Sequence, residues 1–163
     1  MMMENNPLQR KVERRKHFSH DSEKPIGWYL KRVDKLITQN VNDMFAPMGL
    51  TRTHWQALNN TYHGRVKTRE DLHELIHDFV DLKTLDEVID SLVQRGWMIR
   101  TEKPELGITE LELTGEGNEA FPRLDAILFE FDKQVFQGIT EEEYKTAIKV
   151  LNQLICNLNH TAH

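Results

Sequence analysis

TREDLHELIHDFVDLKTLDEVIDSLVQRGWMIRTEKPELGITELEL, residues 68–113, contains two short helical patterns, a turn between them and an alternating ribbon. Thr68 followed three residues later by Asp71 reads as a capping box with Asp in the usual Glu position. Leu72, Leu75, Ile76 and Phe79 then recur at helical spacing. Asp81 caps a second helix whose stripe is Leu85, Val88, Ile89 and Leu92, and Gly96 falls where a left-handed C-terminal turn is expected. Trp97 to Thr101 reads as a strand and Pro104 to Gly107 as a turn. From Ile108 to Leu113, Thr109, Leu111 and Leu113 share one face and Glu110 and Glu112 the other, the alternation of a half-buried strand.

Outward from that core the chain is helical. Pro25 opens a helix with apolar positions Ile26, Leu30, Val33, Ile37, Val41 and Phe45, stopped by Pro47 and Gly49. Thr51 caps a second, carrying Trp55, Leu58 and Tyr62 and ending at Gly64. Past the ribbon, Thr114 caps a long helix lined by Phe121, Leu124, Ile127, Leu128 and Phe131, with Pro122 placed near its start. Thr140 with Glu143 opens the last helix, whose stripe is Ile148, Leu151, Ile155 and Leu158. The predicted fold class is mainly α with a small β-hairpin wing: a winged helix-turn-helix with long terminal dimerisation helices. Residues 25–163 form the domain, with 51–113 as the DNA-binding lobe and 25–46 and 115–160 as dimerisation helices. Those terminal helices offer more apolar surface than one small core needs, so a two-fold homodimer is expected. Residues 1–24 read as a flexible basic arm carrying Arg10, Lys11, Arg14, Arg15 and Lys16. It is either a solvated terminus or a tail that touches phosphate.

At 163 residues, 39% hydrophobic and 29% charged, the chain suits one globular domain with a real core. No apolar run approaches the ~20 residues of a membrane span, and Met1 to Glu4 leads straight into charge without a signal-peptide core. Cys156 is the sole cysteine, which excludes an internal disulfide. A cytoplasmic protein that does not contact membrane is expected. The net charge of −5 removes the easy argument for nucleic acid without excluding a local basic patch. With no Gly-rich phosphate loop after a strand, nucleophile elbow or metalloprotease helix, neither an enzyme nor a cofactor is expected.

Four segments in register resemble the MarR-type winged helix-turn-helix transcription regulators, over roughly residues 27–158. Phe45-Ala-Pro-Met-Gly-Leu-Thr-Arg-Thr-His-Trp55 resembles the family's entry to the second helix. Asp90-Ser-Leu-Val-Gln-Arg-Gly-Trp-Met98 resembles its exit from the recognition helix. Leu113-Thr-Gly-Glu-Gly117 and Gly138-Ile-Thr-Glu-Glu142 resemble the start of its fifth helix and its last turn. The resemblance implies a homodimer with intertwined terminal helices, placing recognition helices in successive major grooves of a pseudo-palindromic duplex. Such proteins usually repress transcription, and many release DNA when a small, often aromatic, acid binds.

The chain departs from this pattern where DNA would be read. Opposite its apolar stripe, the fourth helix presents Lys83, Glu87, Asp90 and Gln94, with Asp86 at the flank. Glu87 stands where the family often has arginine. A carboxylate accepts from cytosine N4 but opposes phosphate attraction. The wing tip, Glu102-Lys-Pro-Glu-Leu-Gly-Ile108, carries no arginine. The candidate DNA contacts are Thr68, Arg69, Lys83, Thr84, Glu87, Arg100 and Lys103. The alternative is a winged-helix dimer that has lost DNA reading and serves as a ligand- or protein-binding module.

Trp28, Tyr29, Met44, Met48, Arg52, His54 and Trp55 are expected around a crevice between the first two helices and the interface. Apolar walls with a few polar tips suit a small aromatic acid, with Arg52 and His54 facing the anion. The bland reading of the same residues is core. His73 and His77, four apart, with His63 nearby, have metal-ligand spacing but lack a completing cysteine or acidic triad, so no metal is expected. Cys156 has no basic neighbour in sequence and reads as a structural thiol.

Overall fold

The computed structural model describes residues 24–161; the basic run from Arg10 to Lys16 lies outside the described residues. The elements in order are α1 (Ile26–Phe45), a 3-10 turn (Ala46–Met48), α2 (Arg52–Tyr62), α3 (Arg69–Ile76), α4 (Leu82–Gln94), β1 (Met98–Lys103), β2 (Ile108–Leu113), α5 (Gly115–Val135) and α6 (Glu141–Thr161). This is the winged helix-turn-helix order. The chain divides into two compact units, one ending at Gln56 and the other beginning at Ala57.

In the first unit, α1 starts behind Pro25 and runs to Phe45. Pro47 lies in the first turn of the 3-10 segment, and Gly49 leaves it at φ 67°, a left-handed conformation that favours glycine. Val41, Phe45 and Leu50 are buried, whereas Ile26, Leu30 and Val33 on the N-terminal half of α1 are exposed.

The second unit is built on α4. Asp81 accepts from the Thr84 N–H at 2.7 Å and caps the helix. Its apolar stripe, Leu85, Val88, Ile89 and Leu92, is buried without exception. The Thr68–Asp71 capping box forms as the spacing predicts, with Asp71 N–H to Thr68 Oγ1 at 3.0 Å and Thr68 N–H to Asp71 Oδ2 at 3.2 Å. α3 packs on β2 and α4 on β1. The hairpin is antiparallel, pairing Met98 with Leu113 through Lys103 with Ile108. Thr109 and Leu111 are buried, as the alternation requires. The segment before α3 joins the ribbon: Leu111 N–H donates to the Lys67 carbonyl at 2.9 Å, and Thr68 bridges Glu110.

Three local expectations change. The third helical stripe does not extend to Phe79, because α3 ends at Ile76 and the chain turns; Phe79 is 68% exposed and Leu75 52%. The first wing strand starts at Met98 and runs two residues past Thr101. Pro122 sits inside α5, seven residues after its first position, so the Asn118 carbonyl loses its helical donor there.

α5 closes the unit. Thr114 accepts from Gly117 N–H at 3.0 Å, and its own N–H donates to the Trp97 carbonyl at 3.0 Å. Ala120, Phe121, Leu124 and Leu128 are buried, and the Phe121 ring lies 4.5 Å from that of Tyr62. Gly117 is where helix meets strand start: a Cβ there would stand 2.0 Å from the Trp97 carbonyl oxygen. Because the obstruction is backbone, Gly117→Ala is expected to lower stability by about 2–3 kcal/mol. An unchanged urea midpoint would show that the contact yields freely.

Candidate nucleic-acid interface

The candidate interface comprises the open face of α4, the start of α3 and the hairpin, all in the second unit. Arg69, in the first position of α3, reaches across to α4. Its Nε and Nη2 donate to both oxygens of Asp86 at 2.5 and 2.8 Å, a bidentate pair. Its Nη1 approaches Glu70 Oε1 at 3.4 Å. The other Glu70 oxygen accepts from the Thr109 N–H on β2 at 3.0 Å. The Thr109 hydroxyl donates to Glu102 on β1 at 2.9 Å. Arg100 lies between Glu102, 3.9 Å away, and Asp90, to which its Nη1 donates. Asp90 is four residues from Asp86 on α4, one helical turn. The contacts therefore form a circuit through α3, β2, β1 and α4, in which the Arg100–Glu102 link is an ion pair beyond hydrogen-bond length.

The circuit changes the reading of the predicted DNA contacts. Arg69, Arg100 and Lys103 each have a carboxylate partner; Lys103 meets Glu110, its diagonal neighbour across the hairpin, at 2.5 Å. The Thr68 hydroxyl caps α3. The Thr84 backbone N–H and hydroxyl both hold Asp81, and these bonds lower the Asp81 pKa. Lys83 and Glu87 stand apart. Their side chains are 88% and 66% exposed, and the lysine nitrogen lies 3.9 Å from the carboxylate, beyond hydrogen-bond length. The sequence reading missed Glu70, Glu102, Thr109 and Glu110 as partners of this surface. Its one available signal was the abundance of carboxylates among these same elements.

The Arg69 hydrogen bond is the main cause that lowers the Asp86 pKa, opposed by desolvation and helped by the charges of Arg69, Arg100 and His73. The Arg69 pKa moves up through the same hydrogen bond.

The predicted ligand residues belong to the first unit. Arg52 is committed to α1: its N–H donates to Asn42 at 2.8 Å, and its Nη1 to Asp34 at 2.8 Å and Thr38 at 2.7 Å. His54 is buried, and its Nδ1 accepts from the Thr51 N–H at 3.1 Å, which leaves the ring proton on Nε2 of the neutral ring. The buried Trp55 indole N–H has no hydrogen-bond partner among the described residues. Trp28 and Tyr29 are exposed and meet edge to face at 5.1 Å, with the Lys24 amine 4.2 Å above Trp28. Six residues separate Trp28 from Asp34, about 9 Å along the helix axis. Arg52, His54 and Trp55 thus share the first turn of α2, while Trp28 and Tyr29 occupy the far end of α1. Met48 is 36% exposed.

Among the described residues no group of three or more His, Cys, Asp and Glu side chains is placed to hold a metal ion. His77 is held by the Glu74 carbonyl at 2.7 Å. Cys156 is exposed. No helix among the described residues is long and apolar enough to cross a membrane.

Because the folded Asp86 pKa lies below its unfolded value, the Arg69 pair contributes stability that is present above pH ~4 and lost as the pH falls through the folded pKa. Half-exposed as it is, the pair contributes about 1 kcal/mol after solvent screening. Asp86→Asn is expected to lower Tm by a few degrees at pH 7. The gap to the native chain should hold down to pH ~4 and narrow below it. A gap that stays constant to pH 2.5 would assign the loss to packing.

No family model matches the sequence. Solved structures do match in fold. Apo MarR from E. coli is 20% identical at a TM-score of 0.65, over 82% of this chain and 98% of that one. A MepR–DNA complex from S. aureus is 14% identical at 0.70, over 83% and 99%. CouR from Rhodococcus jostii RHA1, bound to p-coumaroyl-CoA, is 20% identical at 0.69, over 82% and 95%. The chain has the fold of the MarR-type winged helix-turn-helix regulators.

Proposed function

We propose that the chain is a DNA-binding transcription regulator, a repressor that acts as a homodimer on a pseudo-palindromic site. The observation that carries this reading is the circuit Asp86–Arg69–Glu70–Thr109–Glu102–Arg100–Asp90, which fixes a solvent-facing α4 against its wing. A rigid helix and ribbon held in one orientation are what groove reading requires. The MepR neighbour is a protein of this fold in complex with DNA.

The second copy is supported by α6. This helix of 21 residues buries none of them, and Tyr144, Ile148, Ile155 and Leu158 lie exposed along it. Apolar residues at that spacing have no reason to face water, and a second copy of the same helix supplies the missing surface.

A second reading has its own observation. Arg69, Arg100 and Lys103 are all held by carboxylates. Counterion release is correspondingly weak. A winged-helix dimer that binds a ligand or another protein in place of DNA fits that charge pattern.

Selection of random duplexes on the purified protein at low and near-physiological salt separates the two. The expected result is an inverted repeat with half-sites about 10 bp apart. Ile148→Asp combined with Leu158→Asp should yield a folded monomer by sedimentation and cost at least tenfold in affinity for that repeat. No enriched repeat at either salt, with aromatic acids present or absent, would favour the second reading.

The effector reading rests on the Trp55 indole N–H, a buried donor without a hydrogen-bond partner among the described residues. A small aromatic carboxylate is expected to change tryptophan emission in the native chain and leave Trp55→Phe unchanged. An equal response from both would place any binding elsewhere.

A further inference from the structure

We propose that Lys83 and Glu87 are the residues that choose the sequence, and that they select a C·G base pair; the proposal rests on the DNA-binding reading above. The argument is one of elimination by geometry. On the outward side of α4's first three turns, the N-terminal part of such a helix that meets base edges, stand Lys83, Thr84, Asp86, Glu87 and Asp90, whereas Gln94 on the same face is the helix's last residue. Thr84 is engaged with the Asp81 cap, Asp86 with Arg69 and Asp90 with Arg100. Lys83 and Glu87 remain, both well exposed and 3.9 Å from each other. An exposed pair at that distance contributes little to stability and is readily given up to another partner.

One helical turn separates the two side chains, and a base-pair step rises about 3.4 Å along a strand. They therefore meet the same base pair or adjacent ones. Lysine is a donor only, and in the major groove guanine offers two acceptors, O6 and N7. An ionised carboxylate is an acceptor only. It is repelled by guanine O6 and N7 and by thymine O4. Adenine offers it the N6 donor but sets the N7 acceptor beside it. Cytosine offers the N4 donor without that neighbour. Lys83 on guanine with Glu87 on cytosine satisfies both groups, and their mutual attraction persists across the pair.

Glutamine in place of Glu87 has a donor and an acceptor, the pattern that matches adenine N6 and N7. The test is parallel selection of random duplexes on the full-length native chain, Glu87→Gln and Lys83→Ala. The native chain should select a half-site with a C·G pair at one position. Glu87→Gln should exchange that cytosine for adenine with about tenfold preference and leave the other positions unchanged. Lys83→Ala should relax the guanine preference. Both side chains are exposed, and matching thermal midpoints would confirm that the variants fold. A selected site whose preferences do not move in Glu87→Gln overturns the assignment while DNA reading stands. Failure of the native chain to select any site overturns both.

Discussion

The bidentate contact between Arg69 and Asp86 is the constraint that ties α3 to α4 and from which the rest of the charged surface is arranged. α3 has only eight residues, and of its stripe Leu72 and Ile76 are buried. A planar guanidinium gripping both oxygens of one carboxylate removes two angular freedoms that a single hydrogen bond leaves open. From that fixed point Glu70 reaches the hairpin backbone, and Arg100 returns to α4. Removing one member would leave its partner with an unmatched charge on a half-covered surface. The circuit is therefore expected to act as one unit, and the effects of altering its members should not add.

The circuit also explains how an acidic surface tolerates its own charge. Asp86, Asp90 and Glu110 each sit against a cation, so their mutual repulsion is locally cancelled. The same cancellation weakens the attraction of this surface for phosphate. Binding would have to trade carboxylate for phosphate at each arginine. That exchange costs little when phosphate and carboxylate coordinate the guanidinium alike. It gains little from counterion release. Such a surface loses non-specific affinity first and retains whatever depends on hydrogen-bond matching at base edges. That ordering favours discrimination by a few side chains over attraction by many.

Most of the fold was legible in the sequence because its signals are local. Thr68 with Asp71, Asp81 with Thr84, and Thr140 with Glu143 lie within one turn, and each forms the cap its spacing implies. The α4 stripe and the β2 alternation follow from periods of 3.6 and 2. Phe79 was misplaced because an apolar period continued past the residue where backbone hydrogen bonding turns the chain. The candidate interface was half legible. Its cations could be named, but their partners are 10 and 17 residues away for Arg100 and Arg69, and Glu70 meets Thr109 across 39. No periodicity carries such pairings; they exist only once tertiary packing has set α4 beside the wing. The aromatic residues of α1 were harder still, since Trp28 and Tyr29 have core-like chemistry and exposed positions.

That exposure is part of a wider imbalance. The second unit places its apolar core between α4, the hairpin and the first half of α5, and there the burial is nearly complete. Beyond Leu128 it thins: Phe129, Phe136, Ile139 and, on α6, Tyr144, Ile148, Val150, Ile155 and Leu158 are exposed, and Leu151 and Leu154 are only half-buried. Helix propensity alone does not stabilise a helix of 21 residues in water when it contains isoleucine, valine and asparagine at many positions. Its capping box at Thr140 and Glu143 sets where it starts but contributes too little to hold six turns. The exposed stripe of Tyr144, Ile148, Ile155 and Leu158 is the surface that the proposed second copy would cover. In the proposed dimer, the circuit that orders the wing and the pairing that would order α6 are separate devices. The first holds α4 against the hairpin within one chain, and the second would set the spacing between two such surfaces.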